Sequence, residues 1–427
     1  MDNYFNISID GGNSTIKSKM PDGTIMAFDN IVASASKVNY TQDENLSGSG
    51  LSKLDITVIR NFDKLDNRNS DDYSEIGNRF LLGKMTAQNG ASRRPRTDKM
   101  KGNDPQLVDS MLGSIAYSML YSLNKQKKNI ADIKTLGINL GTGLPFHEWM
   151  IPEQREKFKE YFLGNHIVKF NHPWFENNRF PTELEIRIGL TKVFVEGESS
   201  ANYILNNVEN EFQNKSPEEL LDTSIFFIDM GAFTTEVIGK MFLEVINEEE
   251  FGYDDEPLVV EHRTLPNLSD GIKKGIGHVM NDTITALKNK NPKIDKLTRK
   301  DIEEALKPKG RRGGKDGYIP GTDINVLEDF RRSAKAYAKE IAESLQDIIN
   351  TNEIKGKIRK IYLLGGGSMI RVVVDEVKRV LAEDDINPQI VIAISKPNPV
   401  ALNVVGYYNE LEDYLELAEE EGVIVNG

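Results

Sequence analysis

FNISIDGGNSTIKSKM at residues 5–20 and FFIDMGAFTTEVIGKM at 226–241 are two versions of one stretch. Each opens as an apolar run ending in an aspartate, passes a glycine-containing turn followed by hydroxyls, and leaves on a second run that closes in Lys-Met. Apolar runs joined by such turns read as β-hairpins. The aspartates, Asp10 and Asp229, lie 219 positions apart in a chain of 427 residues. Two unrelated hairpins would account for the runs. They would not account for an aspartate before the glycine and a Ser or Thr after it both times. The pattern predicts a duplicated chain.

Around these hairpins strands alternate with helices, which predicts an α/β fold. Further strands are expected at 134–140, 184–195, 358–364 and 389–394. Helices are expected at 105–124, 152–163, 199–213, 269–289, 298–307, 325–351, 368–383 and 399–421. In the first of these Asp104 is placed to cap and Pro105 takes the first position, where a missing N–H costs nothing. Leu107, Met111, Ile115, Met119 and Leu123 then recur every four residues, the mark of a buried face. Residues 39–72, rich in Asn, Ser, Gly and Asp, read as a surface loop, as does 307–323. The basic tract of Arg93, Arg94, Arg96, Lys99 and Lys101 is expected to be exposed.

Composition removes several classes of function. Apolar residues at 39% and charged residues at 28% are ordinary for a folded chain, and 427 residues imply more than one domain. Against 53 Lys and Arg stand 66 Asp and Glu, so the net charge is −13. Such a chain has no global attraction to nucleic acid or to an anionic membrane. The absence of cysteine removes disulfides, thiol nucleophiles and Cys-zinc sites. The five histidines show no metal-ligand spacing. With no basic-then-apolar leader and no long apolar run, a cytoplasmic location and no membrane contact are expected.

The turns carry phosphate chemistry. From Asp10 to Lys17 the order is DGGNSTIK. Gly11 and Gly12 let backbone amides near Asn13 approach an anion, Ser14 and Thr15 add hydroxyl donors, and Lys17 adds a point charge. Asp10 repels phosphate but can hold a water of hydrated magnesium. Alone, the turn reads equally well as a structural hairpin. The second turn repeats the parts with Asp229, Gly231, Thr234 and Thr235. Two such turns facing each other would clamp a triphosphate. A third element, IYLLGGGSM at 361–369, runs a strand into Gly365, Gly366 and Gly367 and a helix starting at Ser368, where a base or ribose could approach backbone. The stretch GRRGGKD at 310–316 is one residue short of a P-loop and has Asp where Ser or Thr should hold magnesium, so it reads as a basic loop.

In order, DGGNSTIK, GTGLP at 141–145, VEGESSANY at 195–203, DMGAFTTEV and LLGGGS resemble the actin superfamily of ATPases. Within it the chain is most similar to the plasmid-segregation actins of the ParM family, through ESSANY at 198–203 and through the RRP segment with KGNDP at 101–105. The resemblance implies two duplicated α/β lobes with mixed five-stranded sheets and flanking helices around a nucleotide cleft. Lobe I would span 1–205, with a small insertion at about 38–98, and lobe II 206–395, with an insertion at about 268–330. Residues 396–427 would form a helix packing back toward lobe I.

The same resemblance implies roles. Asp10 and Asp229 would act on magnesium through water. Ser14, Lys17 and the hairpin amides would hold β- and γ-phosphates, with Gly231, Thr234 and Thr235 opposite. Gly271 and Lys274, on a helix from Ser269, would border the nucleoside. Glu198 would orient the attacking water, with Glu196 as the rival. Ala232 and Phe233 depart from the family pattern, where glycines stand. The implied function is an ATP- or GTP-hydrolysing protein that polymerises and moves plasmid DNA through a separate DNA-binding adaptor. A small-molecule, sugar-type kinase of the same fold is the alternative. Residues 397–427 hold no Lys or Arg, which opposes a basic membrane-binding helix.

Overall fold

The computed structural model describes residues 4–35, 53–62, 77–83, 92–93, 100–178, 180–208, 211–245, 258–292, 294, 296–307 and 316–422. The chain parts into two compact units, Met1–Tyr203 with Ala401–Gly427, and Ile204–Val400. Among the described residues no helix is long and apolar enough to cross a membrane.

In the first unit the strands are β1 (Phe5–Gly11), β2 (Thr15–Lys19), β3 (Ile25–Asp29), β4 (Val32–Ser34), β5 (Lys53–Ile59), β6 (Asn78–Gly83), β7 (Ser92–Arg93), β8 (Thr135–Leu144), β9 (Gly164–Phe170) and β10 (Glu183–Val195). They form a ten-stranded sheet in the order β3-β2-β1-β8-β10-β9-β5-β6-β4-β7. The second unit has β11 (Ser224–Met230), β12 (Thr235–Glu244), β13 (Val260–Thr264), β14 (Asp270–Ile272), β15 (Ile358–Leu364) and β16 (Val391–Ala393). Its order is β13-β12-β11-β15-β16, with β14 also on β12.

Duplication is plain in these orders. Going out from β3, neighbouring pairs are antiparallel, antiparallel, parallel and parallel as far as β10. Going out from β13 the same four relations follow in the same sequence. This is the mixed five-stranded sheet, made twice. In the first unit the sheet runs on through β9, β5, β6, β4 and β7. Strand β5 corrects the reading of 39–72 as loop throughout. Leu54, Ile56 and Val58 are buried, and Asp55 on the other face is buried too, held by Arg79 at 2.9 Å. The polar residues on either side mask that short alternation; most of 39–72 lies outside the described residues.

The longer helices are α1 (Pro105–Lys125), α2 (Pro152–Phe162), α3 (Glu198–Asn207), α4 (Ile276–Lys290), α5 (Arg299–Leu306), α6 (Leu327–Thr351), α7 (Arg371–Glu383) and α8 (Leu402–Glu420). Asp104 caps α1, accepting from the amides of Gln106 and Leu107 at 3.1 and 3.4 Å. All five periodic residues of α1 join the core with Ile7, Ile9, Ile138 and Leu140. In the second unit Phe330, Tyr337, Ile341 and Leu345 of α6 pack with Ile361 and Leu363 of β15. The helix expected from Ser269 starts only at Ile276. Residues 270–272 instead pair with β12, and Ser269 bonds Gly239 N and Leu265 O.

Helix α8 belongs to the first unit, and glycines let it approach. A Cβ on Gly143 would lie 2.1 Å from Tyr407 Oη, and one on Gly141 would lie 2.9 Å from Tyr407 O. The GTGLP motif is therefore shaped by the helix packed on it. Gly143→Ala should destabilise the protein by about 1–3 kcal/mol through overpacking. Gly356→Ala meets nothing within 4 Å and should change stability little. Urea midpoints of the two variants check the contrast; equal midpoints would show that Tyr407 swings away freely.

Candidate functional site

Strands β1 and β2 leave Gly12, Asn13 and Ser14 as the first turn, with Asp10 facing Lys17 in register. Asn30, fully buried, donates its side-chain amide to Gly12 O and its backbone amide to Ser14 O, both at 2.9 Å. The turn's carbonyl oxygens, which would repel an anion, are thereby drawn onto protein donors. Gly12 must be bare, since a Cβ there would sit 2.7 Å from Thr15 O. Gly11 is bare for a different reason: a Cβ would meet Met111 Sδ of α1 at 2.7 Å. Asn13, Ser14 and Thr15 are half-buried.

Asp10 is buried at the end of an apolar strand, 4% exposed. Burial pushes its carboxyl up, but Lys17 at 2.8 Å and then Lys101 outweigh that, and the net direction is down. Asp10 is therefore an ionised carboxylate. Lys101 is the surprise. It was grouped with an exposed basic tract, yet it is buried and hydrogen-bonded to Glu196. Burial disfavours its charge, but Glu196 first and Asp10 next hold the proton in place, so the net direction is up. Glu196 is itself raised, by burial first and then by Asp10 and Glu148 against the pull of Lys101. Glu148 anchors the segment from below, accepting from the amides of Lys101 and Gly102 at 3.0 and 2.9 Å. Residues 94–99 and 308–315 of the two basic tracts lie outside the described residues. Glu198 stands two positions beyond Glu196, half-buried, as the first residue of α3.

The second turn is built differently. Asp229 faces Glu236 and Met230 faces Thr235 in register. Gly231 uses its amide inside the turn, on Thr234 O at 2.9 Å. The first amides of α4, Ile276 and Gly277, donate to Gly231 O at 3.0 Å and Ala232 O at 2.6 Å. Here a helix start does what Asn30 does in the first turn. Phe233, where the family pattern has glycine, is buried edge-on to His278 at 5.4 Å with the Arg299 guanidinium 4.3 Å over its ring. Thr235 Oγ donates to Lys274 O at 2.8 Å, and a hydroxyl has one proton, so the 2.6 Å bond to Tyr337 is donated by the phenol. Burial raises the Tyr337 phenol, opposed by that bond and reinforced by Asp229, so it stays a donor. Lys274 Nζ pairs with Glu340 of α6 at 2.5 Å. Gly271 lies on β14, opposite Glu236.

The third element meets the second turn directly. Gly365 has φ +70°, and a Cβ on it would lie 2.3 Å from Asp229 Oδ1. Gly367 likewise packs on Met230, its Cβ position 2.5 Å from Met230 Cβ. Gly366, between them, faces open space with nothing within 4 Å. Ser368 turns back to Gly365 O at 2.9 Å within a 3₁₀ turn, Gly366–Met369, and the helix proper begins at Arg371.

So the first unit gathers Asp10, Lys17, Lys101, Glu196 and Glu148 around the first turn, and the second gathers Asp229, Thr235, Lys274, Tyr337 and Gly365 around the second. Sequence reading missed Lys101, Glu148 and Tyr337. The cue for Lys101 was its place beside the Asp104 cap, one turn before a buried helix. Among the described residues no three His, Asp or Glu side chains converge as a metal-ligand set. Magnesium needs no such cage: it keeps waters and leans on one or two carboxylates and the phosphates it accompanies. A single ionised carboxylate beside a glycine turn, as Asp10 provides, fits that habit, and the open face of Gly366 fits a flat ligand.

No protein-family model matches the sequence, and no curated protein matches it. Solved structures do. A pCBH ParM in a non-polymerisable quadruple-mutant form superposes with TM-score 0.63 at 18% identity, covering 96% of this chain and 100% of that one. A 15-stranded ParM filament from Clostridium botulinum gives TM-score 0.60 at 17% identity, over 96% and 99% of the two chains. Bacillus thuringiensis ParM with AMPPNP gives 0.56 at 17% identity, over 97% and 100%. The chain has the actin-like fold of these structures.

Removing one partner of a buried ion pair strands the other, which costs about 3–5 kcal/mol, whereas neutralising both can be nearly free. Lys101→Met should therefore destabilise by about that amount, and adding Glu196→Gln should recover most of the loss. Urea unfolding of the three proteins decides it. Equal stability of Lys101→Met and the parent would mean that Glu196 is already neutral and needs no cation.

Proposed function

We propose that this chain binds a nucleoside triphosphate, ATP or GTP, with magnesium through its two aspartate turns, hydrolyses it, and assembles into filaments that move plasmid DNA through a separate DNA-binding adaptor in the cytoplasm. One observation carries the reading: the same five-strand sheet occurs twice, each time with an aspartate one residue from the strand end ahead of a glycine turn. The likeness to a ParM solved as a filament and to another solved with AMPPNP supports it. The net charge of −13 supports the need for an adaptor, since duplex DNA would be repelled.

In this reading the first turn binds phosphate with the amides and hydroxyls of Gly11, Gly12, Asn13, Ser14 and Thr15. Lys17 has three N–H donors and spends one on Asp10, so it can still reach a phosphate oxygen. In the second turn the hydroxyl of Thr234 does the same, while the Gly231 amide and the Thr235 hydroxyl proton are spent within the protein and shape the turn around it. Gly365, Gly366, Gly367 and Ser368, with Gly271 and Lys274, border the nucleoside. Magnesium, when bound, supplies neutralisation of the phosphate charge, with Asp10 and Asp229 holding its water shell. Glu198, the first residue of α3, is the carboxylate that orients the attacking water, while Glu196 is held on Lys101. The water oxygen forms a bond to the γ-phosphorus, the bond from phosphorus to the β–γ bridging oxygen breaks, and the water's proton leaves by Glu198 toward solvent. The products are nucleoside diphosphate and phosphate.

Phosphate release and light scattering, followed together after adding magnesium and nucleotide, test this. Wild-type hydrolysis should rise more than proportionally with protein concentration and need no phosphate acceptor. Asp10→Ala and Asp229→Ala should each abolish it. Glu198→Ala should lose about 10²–10⁴-fold in rate, the usual worth of one general base, while still forming filaments, which then persist. Glu196→Ala should keep the chemical step even where it loses stability. Strictly proportional turnover that appears only with a sugar-like acceptor would sink the filament reading. Normal phosphate release from Glu198→Ala would remove Glu198 from the chemistry.

A further inference from the structure

We infer that Asn403 is a positioning residue for the hydrolytic step: from α8 it fixes the first turn of α3 and with it the place of Glu198. The inference rests on the reading of Glu198 given above.

Helix starts leave backbone N–H groups without intrahelical partners, and the residue before the helix normally supplies a side-chain cap. Here that residue is Gly197, at φ +80°, a conformation that favours glycine and leaves nothing to cap with. Asn403, on another helix, holds this helix start in a different way, by accepting from the amide of Gly197 itself and from a hydroxyl of the first turn. Its Oδ1 takes the Gly197 amide at 2.9 Å and the Ser200 hydroxyl at 2.6 Å. A backbone amide can only donate, so the oxygen of Asn403 must face it. The two donors flank Glu198 on either side in the chain, and they meet on one atom.

The rest of the contact keeps that atom in place. Two turns further along α8, Glu410 accepts from Ser199 Oγ and, at 2.6 Å, from Asn202 Nδ2. Between them Gly406 brings the helix backbones together; a Cβ there would lie 2.3 Å from Ser199 O. On its other side α8 is registered on β1, where Ser8 Oγ donates to Val404 O at 2.6 Å. Val404 follows Asn403, and Ser8 is two residues before Asp10. One short stretch of α8 thus ties the strand that carries the first aspartate to the helix that carries the catalytic candidate. Ordinary helix packing would explain apolar contact between α8 and α3. It gives no reason for one side-chain oxygen to take both the amide of the left-handed glycine before Glu198 and the hydroxyl two residues after it.

Misplacing a catalytic group by an ångström costs on the order of 10²-fold without touching ligand binding. The test is single-turnover hydrolysis of magnesium-ATP at matched polymer mass, with affinity for a non-hydrolysable ATP analogue measured separately. Asn403→Ala should slow hydrolysis about 10–100-fold with affinity unchanged, and Asn403→Asp, which keeps an acceptor oxygen, should regain most of the rate. Placed in a Glu198→Ala background, Asn403→Ala should cause no further loss. Wild-type hydrolysis by Asn403→Ala beside a slow Glu198→Ala overturns the inference and leaves the reading of Glu198 standing. So does an equal further loss in the double variant, because the effect would then bypass Glu198. Wild-type hydrolysis by Glu198→Ala removes both. Should Asn403→Ala not fold, Ser200→Ala removes one of the two donors, and the same readouts apply with a smaller loss expected.

Discussion

The first unit depends on keeping Asp10, only 4% exposed, charged at the end of an apolar strand. A carboxylate at the end of an apolar strand is costly unless cations and donors surround it, and a neutral one would be useless beside a hydrated ion. Lys17 answers from the neighbouring strand and Lys101 from the segment ahead of α1. Lys101 brings its own cost, which Glu196 offsets, and Glu148 pins the backbone that presents it. The cluster is therefore closed: each charge is buried because another is. It also ties together β1, the end of β10 and the segment ahead of α1.

The duplicated second unit reaches a similar turn with other means. Asp229 is half-buried and sits against the bare backbone of Gly365. The turn is steadied by the start of α4 and by the Tyr337–Thr235–Lys274 relay, whose direction follows from counting protons. Duplication preserved the strand order and the aspartate; the side chains around them diverged.

Sequence made the frame legible because the frame is local. The apolar runs of β1, β11 and β15, the Asp104 cap and the four-residue period of α1 all lie within short windows. What it hid depends on partners far along the chain. Lys101 looked like one more basic residue because Glu196 is 95 positions away. Nothing beside GTGLP shows that Gly141 and Gly143 are bare for Tyr407, far along the chain. Strand β5 was lost in polar surroundings, and β14 interrupted what had read as a helix. Asn403 gave no local signal, since its role exists only where α8 crosses α3.

In the proposed function the glycine strand end borders the bound nucleotide. Gly366 tests it most directly, because a Cβ there meets no atom of the described residues within 4 Å. Gly366→Val should leave the melting temperature unchanged and the strands intact. Equilibrium titration with magnesium and a non-hydrolysable ATP analogue should then show saturable binding to the parent and its loss in the variant. Undiminished binding by a stable Gly366→Val protein would contradict the account.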